Sequence, residues 1–228
     1  MSEPLCRDFI FPICECAPNE GGGGFRFVRF LGTGFLFGSA GFALTASHVL
    51  GSPTDQRLLM AMFVAPNQHW LGARILRRHI HPTEDVAVIQ LEPVSGLPWY
   101  SPFGLSSTPA HSSCRYSLFG YPEDVANELV NESTSRVETR PDLVYSEGHV
   151  RRRATLALPS VRGSAFLELS QIAGQGCSGA PVFIPGWQVI GVYSSERLCS
   201  SQINMAYAVR TDSFRDWALS LISSASSV

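Results

Sequence analysis

The apolar residues of this chain fall in short runs, several of them alternating with polar residues, and glycine, proline or small polar residues separate the runs. A repeat of two places successive side chains on opposite faces, which a strand satisfies and a helix does not. Residues 25–30 show this alternation, and 31–38 with 41–45 read as a hairpin. Further strands are expected at 58–65, 72–76, 86–91, 116–120, 150–158, 165–169, 180–184, 188–193 and 205–210. The 20 glycines and 15 prolines are scattered between these runs as turn punctuation. Many short strands at close spacing imply an all-β barrel or sandwich. Only the stretch 211–222 differs: Phe214, Trp217, Ala218, Leu221 and Ile222 recur at helical spacing after Thr211, which predicts an amphipathic helix. The polar stretch 122–142 reads as a surface loop, with a single helical turn over 125–130.

Composition removes several function classes. A chain of 228 residues is long enough for a sizeable buried core. Its formal net charge is -2, whereas a dedicated nucleic-acid binder carries a basic excess, so no nucleic-acid partner is expected. No apolar run reaches the roughly 18 residues of a membrane-spanning helix, and no membrane partner is expected. The first residues show no basic segment followed by an apolar one, so a cytoplasmic protein with reduced thiols is expected. All 17 basic residues are arginine, which fits a genome that favours arginine codons. The six cysteines are too few for a disulfide scaffold. Cys6, Cys14 and Cys16 lack the spacing of a zinc knuckle and a fourth ligand, and His79 with His81 reads as structural. No metal site and no cofactor are expected. Residues 21–24 lack the lysine and helix of a phosphate-binding loop.

Three segments carry chemistry. They are Thr45-Ala46-Ser47-His48-Val49-Leu50, then His81-Pro82-Thr83-Glu84-Asp85-Val86-Ala87-Val88, then Gly174-Gln175-Gly176-Cys177-Ser178-Gly179-Ala180-Pro181-Val182. A serine hydroxyl is a weak nucleophile and needs an adjacent base. An imidazole base needs a carboxylate that fixes its tautomer and stabilises its charged form. A developing oxyanion needs backbone N–H donors, and flanking glycines give the backbone the freedom to present them.

The order His, Asp, Ser in these three contexts resembles the trypsin-like, chymotrypsin-fold serine peptidases, and is most similar to bacterial trypsin-like peptidase domains. Gly32-Thr33-Gly34-Phe35-Leu36, Leu118-Phe119-Gly120-Tyr121-Pro122, Gln188-Val189-Ile190-Gly191-Val192 and Ala206-Tyr207-Ala208-Val209 extend the resemblance over residues 25–220. It implies two six-stranded antiparallel β-barrels with a C-terminal α-helix. An N-terminal extension over 1–24 would precede a single domain over 25–222: a first barrel at 25–110, a second at 111–210 and the helix at 211–222. The resemblance also implies His48 as general base, Asp85 as its orienting carboxylate, Ser178 as nucleophile, and the N–H groups of Gly176 and Ser178 as oxyanion donors. Its substrate would be a protein or peptide, and it leaves room for a regulatory protein partner.

Departures from the pattern set two alternatives. Cys177 stands where digestive relatives carry the Asp that pairs with a new N-terminus, so activation by trimming is not expected. A thiol beside Ser178 keeps open a Cys177-dependent protease. An inactive fold acting as a protein-binding module is the other alternative. For specificity, the residue six before the nucleophile is Ile172. The substrate pocket is expected to involve Ile172, Ala173, Ser194 and Glu196, and to be uncharged unless Glu196 reaches it.

Overall fold

The computed structural model describes residues 8–19, 24–52, 57–64, 70–95, 100–131, 136–159, 161–197 and 205–225. Cys6 and Trp99 lie outside them, as do Gly21, Gly22 and Gly23. Six strands form a closed barrel: β1 (Ile10–Pro18), β2 (Phe25–Leu36), β3 (Phe42–Thr45), β4 (Leu58–Val64), β5 (Trp70–Ile80) and β6 (Ala87–Leu91), in the order β1-β2-β3-β6-β5-β4. Phe9, Phe11, Phe35, Phe37, Leu44, Val88 and Ile89 are buried on its two faces, none more than 2% exposed. Burying each such side chain contributes about 1.5–3 kcal/mol.

The barrel's first strand lies inside the stretch 1–24 that was expected to precede it. β1 pairs with both β2 and β4 and closes the ring. Its first five residues are all buried, so this part does not alternate as a half-exposed strand does. The stretch 25–36 is also one continuous strand, rather than a strand followed by a hairpin arm.

The second unit is built from β7 (Gly104–Leu105), β8 (Arg115–Gly120), β11 (Val144–Thr155), β12 (Ala165–Leu169), β13 (Pro181–Ile184), β14 (Gln188–Arg197) and β15 (Met205–Arg210). The sheet order is β13-β8-β11-β12-β15-β14-β7, and a further pairing of β13 with β14 closes six of these strands on themselves. The two-residue β7 adds to β14 in parallel. Between β8 and β11, the stretch expected as a loop forms a hairpin of β9 (Ala126–Asn131) and β10 (Arg136–Pro141) instead. Its few apolar residues, Leu129, Val130 and Val137 among them, do not alternate along either strand, so it lacks the periodicity by which strands are recognised. After β15, residues Thr211–Ser213 make a 3₁₀ turn and Arg215–Ala225 the helix α1. Phe214, Trp217, Ala218, Leu221 and Ile222 form its buried stripe, as the periodicity predicts.

α1 follows the second unit in sequence but packs against the first. Trp217 meets the His81 ring edge-on at 4.8 Å, and Ile222 lies against Gly38. Polar contacts join the units as well. Glu84, 6% exposed, accepts the backbone N–H groups of Ser164 and Ala165, both at 3.2 Å. Arg162 donates to the Pro82 carbonyl, and the Tyr121 hydroxyl donates to the Ile10 carbonyl at 3.2 Å.

Removing the Glu84 carboxylate strands two N–H donors at this junction. Glu84→Ala is expected to destabilise the protein by about 2–3 kcal/mol, and Glu84→Gln by less because an acceptor is kept. Urea unfolding checks this; equal midpoints for wild type and Glu84→Ala would contradict it.

Candidate active site

Strand register brings the first two candidates together. β3 and β6 are antiparallel neighbours with Thr45 opposite Ala87, so the residues that follow β3 and those that precede β6 emerge at the same end of the barrel. His48 sits there in the 3₁₀ turn Ser47–Leu50, and Asp85 lies two residues before β6. His48 Nδ1 is 2.7 Å from Asp85 Oδ2. Asp85 Oδ1 accepts the Ser47 hydroxyl at 2.6 Å and the His48 backbone N–H at 3.0 Å, and Oδ2 also accepts the Ser194 hydroxyl at 2.6 Å. The carboxylate is thus only 1% exposed yet fully hydrogen-bonded. Burial alone would raise its pKa. The His48 hydrogen bond and charge, with the Ser194 and Ser47 hydroxyls, outweigh burial and hold Asp85 at about 2. An ionised Asp85 accepts from Nδ1–H, which leaves Nε2 of His48 as an acceptor.

Ser178 lies on the loop between β12 and β13 in the second unit. Gly176 and Gly179 flank it with φ of 93° and 94°, a region that residues with a β-carbon avoid. A β-carbon at Gly179 would run into the Thr33 carbonyl and the Thr45 hydroxyl, and one at Gly176 into Phe30 and the Tyr121 carbonyl. Thr33 of β2 holds this loop from the first barrel. Its N–H donates to Ser178 O at 2.8 Å and its hydroxyl to Gly176 O at 2.9 Å, and that hydroxyl accepts the Tyr121 N–H at 3.0 Å. Gly179 N–H donates to Tyr193 O at 2.7 Å. Among the described residues, the N–H groups of Gly176 and Ser178 have no acceptor. Ser178 Oγ donates to the Ser194 carbonyl at 3.1 Å and not to the His48 ring.

Cys177 points the other way. It is 1% exposed in the second unit's core, donates its S–H to Ala173 O at 3.1 Å, and is pushed up to about 12, chiefly by burial. A thiol in this setting is neither ionised nor aimed at His48.

The pocket residues separate. Ser194 belongs with Asp85, as its hydroxyl bond shows. Ile172 and Ala173 are half-buried against the second unit's core. A cleft of about 360 Å³ at Ser178 is lined by Gly174, Gln175, Tyr193, Ser195 and Glu196, without Ile172. Glu196 lies within β14 rather than in a loop after it. A second cleft, about 410 Å³, adjoins His48 and Asp85 and includes Ile80, Val161 and Arg162. Sequence reasoning did not single out Ser47, Thr33 or Tyr193. Ser47 was within reach, because it directly precedes His48 in the motif.

The other sequence candidates find structural places. Cys14 and Cys16 lie in β1 beside Met60, and burial pushes both thiols up. His81 Nδ1 accepts the Glu84 N–H at 2.9 Å, and burial lowers its pKa. The arginine run 151–153, which the sequence alone reads as a solvated strand or loop, lies in β11, where Arg152 pairs with Glu168 and Arg153 with Asp212. Among the described residues no three His, Cys, Asp or Glu side chains form a metal-binding group, and no helix is long and apolar enough to cross a membrane.

The family model of the trypsin-like peptidase domain matches residues 32–192, from the Thr33 strand through the Ser178 loop to β14. The chain belongs to this family. The peptidase domain is also similar to solved structures at identities that speak for the fold alone. The protease domain of MamO from Magnetospirillum magneticum (apo form) is 12% identical with a TM-score of 0.63, over 92% of this chain and 96% of that one. The active form of the Rv3671c protease from M. tuberculosis is 15% identical with a TM-score of 0.62, over 92% and 79%. The HtrA-type protease AlgW with a decapeptide is 12% identical with a TM-score of 0.65, over 96% and 65%. No curated protein sequence matches the chain. The peptidase domain therefore has the chymotrypsin-like fold that its motifs implied.

Asp85 gives this domain a pH signature. Its folded value, about 2, lies below the ordinary 3.8. The difference is worth about 2 kcal/mol of stability, present in full above about pH 4 and lost as pH falls through about 2. Between those pH values, urea midpoints of wild type are expected to fall further than those of Asp85→Asn. Parallel falls would contradict the buried-carboxylate assignment.

Proposed function

We propose that the protein is a serine endopeptidase, with Ser178 as nucleophile, His48 as general base and Asp85 as the group that holds and stabilises the imidazole. The observation that carries the reading is the Asp85 carboxylate, ionised, buried and 2.7 Å from His48 Nδ1. That contact fixes the tautomer whose Nε2 takes a proton. In this reading the Ser178 hydroxyl exchanges the Ser194 carbonyl for Nε2. Catalytic hydrogen bonds of this kind commonly tighten only when substrate is bound.

The reaction then follows from the residues in place. Ser178 Oγ attacks the peptide carbonyl as its proton passes to His48. The unused N–H groups of Gly176 and Ser178 receive the oxyanion. His48 returns the proton to the leaving amine, and water resolves the acyl-enzyme by the same steps. The buried Cys177 thiol stands against the cysteine-dependent alternative. Cys14, Cys16, Cys114 and Cys177 are free, which supports a reducing compartment such as the cytoplasm.

Labelling with a fluorophosphonate, followed by mapping of the modified residue, tests the mechanism directly. Label is expected on Ser178, and none on folded Ser178→Ala. Turnover is expected to fall about 10⁴-fold or more in Ser178→Ala, His48→Ala and Asp85→Asn, while Cys177→Ala stays within about tenfold of wild type. A folded Cys177→Ala without activity, beside an active Ser178→Ala, would overturn the assignment. Wild type that takes no label would favour the binding-module alternative.

A further inference from the structure

Two of the six cysteines and two of the four methionines meet on one face of the neighbouring strands β1 and β4. Register puts them there: Cys14 stands opposite Met60, and Cys16 opposite Leu58. Directly opposed side chains share a face, with β-carbons about 4.5–5.5 Å apart. Cys16 and Met62 follow Cys14 and Met60 by two residues and so point to the same side. Cys14, Cys16 and Met60 are buried together in a cluster of their own, with Met62, Phe30 and Leu58 packed around them. Gly72 of β5, opposite Met62, leaves room for both thioethers: a β-carbon there would lie 3.6 Å from Met60 Sδ and 3.3 Å from Met62 Sδ. Burial raises both thiols, and the nearness of Cys16 raises Cys14 further.

We propose that this sulfur cluster binds one soft monovalent metal ion, Cu(I), with Cys14 and Cys16 as thiolate ligands and Met60 as a thioether ligand. None of these residues takes part in the peptidase reading. The donor set decides which ion fits. Thiolates and thioethers are soft and select Cu(I), whereas a structural zinc ion takes a closed set of four thiolate, imidazole or carboxylate ligands. Among the described residues no third thiol, imidazole or carboxylate joins Cys14 and Cys16. The intervening Glu15 stands opposite Leu59, on the other face, and accepts from Arg29 at 2.8 Å and Arg57 at 3.1 Å. Binding replaces two S–H bonds by two Cu–S bonds and releases two protons to solvent, which leaves one negative charge at the site. Arg74 of β5, opposite Met60, supplies a cation on that face. Cys16, at 7% exposure, is the more open of the two thiols and stands opposite the exposed Phe27, so the ion enters from that side.

Anaerobic titration of the reduced full chain with Cu(I), in competition with bicinchoninate, tests the site. One equivalent per chain is expected to be withheld from the chelator, and X-ray absorption of that ion to show sulfur neighbours alone. Cys14→Ser and Cys16→Ser should each weaken binding at least about a hundredfold, and Met60→Leu, which conserves side-chain volume, about tenfold. Cys114→Ser, in the second unit, should leave affinity unchanged. An ion held only by the folded chain stabilises it, so Cu(I) should raise the urea midpoint of wild type but not of Cys16→Ser, and Zn(II) should raise neither. Failure to hold Cu(I) against the chelator, or binding that survives both serine variants or vanishes in Cys114→Ser, overturns the proposal. A wild-type midpoint raised as far by Zn(II) as by Cu(I) overturns the choice of ion. Where a serine variant does not fold, Met60→Leu and the wild-type spectrum decide: undiminished affinity in the first, or nitrogen or oxygen neighbours in the second, sinks the site.

Discussion

A carboxylate taken out of water costs several kcal/mol unless it is paired and hydrogen-bonded on all sides, and the architecture of this molecule answers that demand at Asp85. Its four donors come from both barrels. Ser47 and His48 arrive on the turn that follows β3, and Ser194 arrives on β14. Neither barrel alone completes the set. The antiparallel register of β3 with β6 positions the first three donors, and the docking of the barrels supplies the fourth. The orientation of His48 is therefore a product of the interface as much as of its own strand.

Thr33 links the same interface to Ser178. Its backbone and side chain between them hold Ser178 O, Gly176 O and Tyr121 N–H, so the Ser178 loop of one barrel is hydrogen-bonded to a strand of the other. The glycines at 176 and 179 are needed because that strand comes so close. A buried thiol precedes Ser178, and the ties of the loop run through Thr33, Tyr193 and Glu196.

Much of this was legible in the sequence, and the exceptions have physical causes. β8 announces itself by alternation, and β12 and β15 as short apolar runs bounded by turn residues, and all three lie where expected. β1 did not, because its cysteines suggest ligands before they suggest packing. The β9–β10 hairpin did not, because its residues carry no apolar periodicity. His48, Asp85 and Ser178 were visible as short motifs whose chemistry constrains residue type, and the structure brings His48 and Asp85 into contact. The residues named for the pocket separate for a different reason. Glu196 lines the cleft at Ser178 and Ile172 does not, which depends on the path of β14 past the Ser178 loop, and sequence distance from Ser178 does not encode that path.

The helix α1 crosses from the end of one barrel to the flank of the other, where Trp217 covers His81 and Ile222 reaches Gly38. During synthesis the first barrel's strands emerge early, yet this flank stays bare until the second barrel and the helix have followed. Maturation of the first barrel is thus tied to the last-made part of the described chain, a long-range dependence that slows folding. It also orders events in time: the hydrogen bonds of Asp85 are complete only once the strand that bears Ser194 has been made, so the buried carboxylate reaches its final environment late rather than when the first barrel forms.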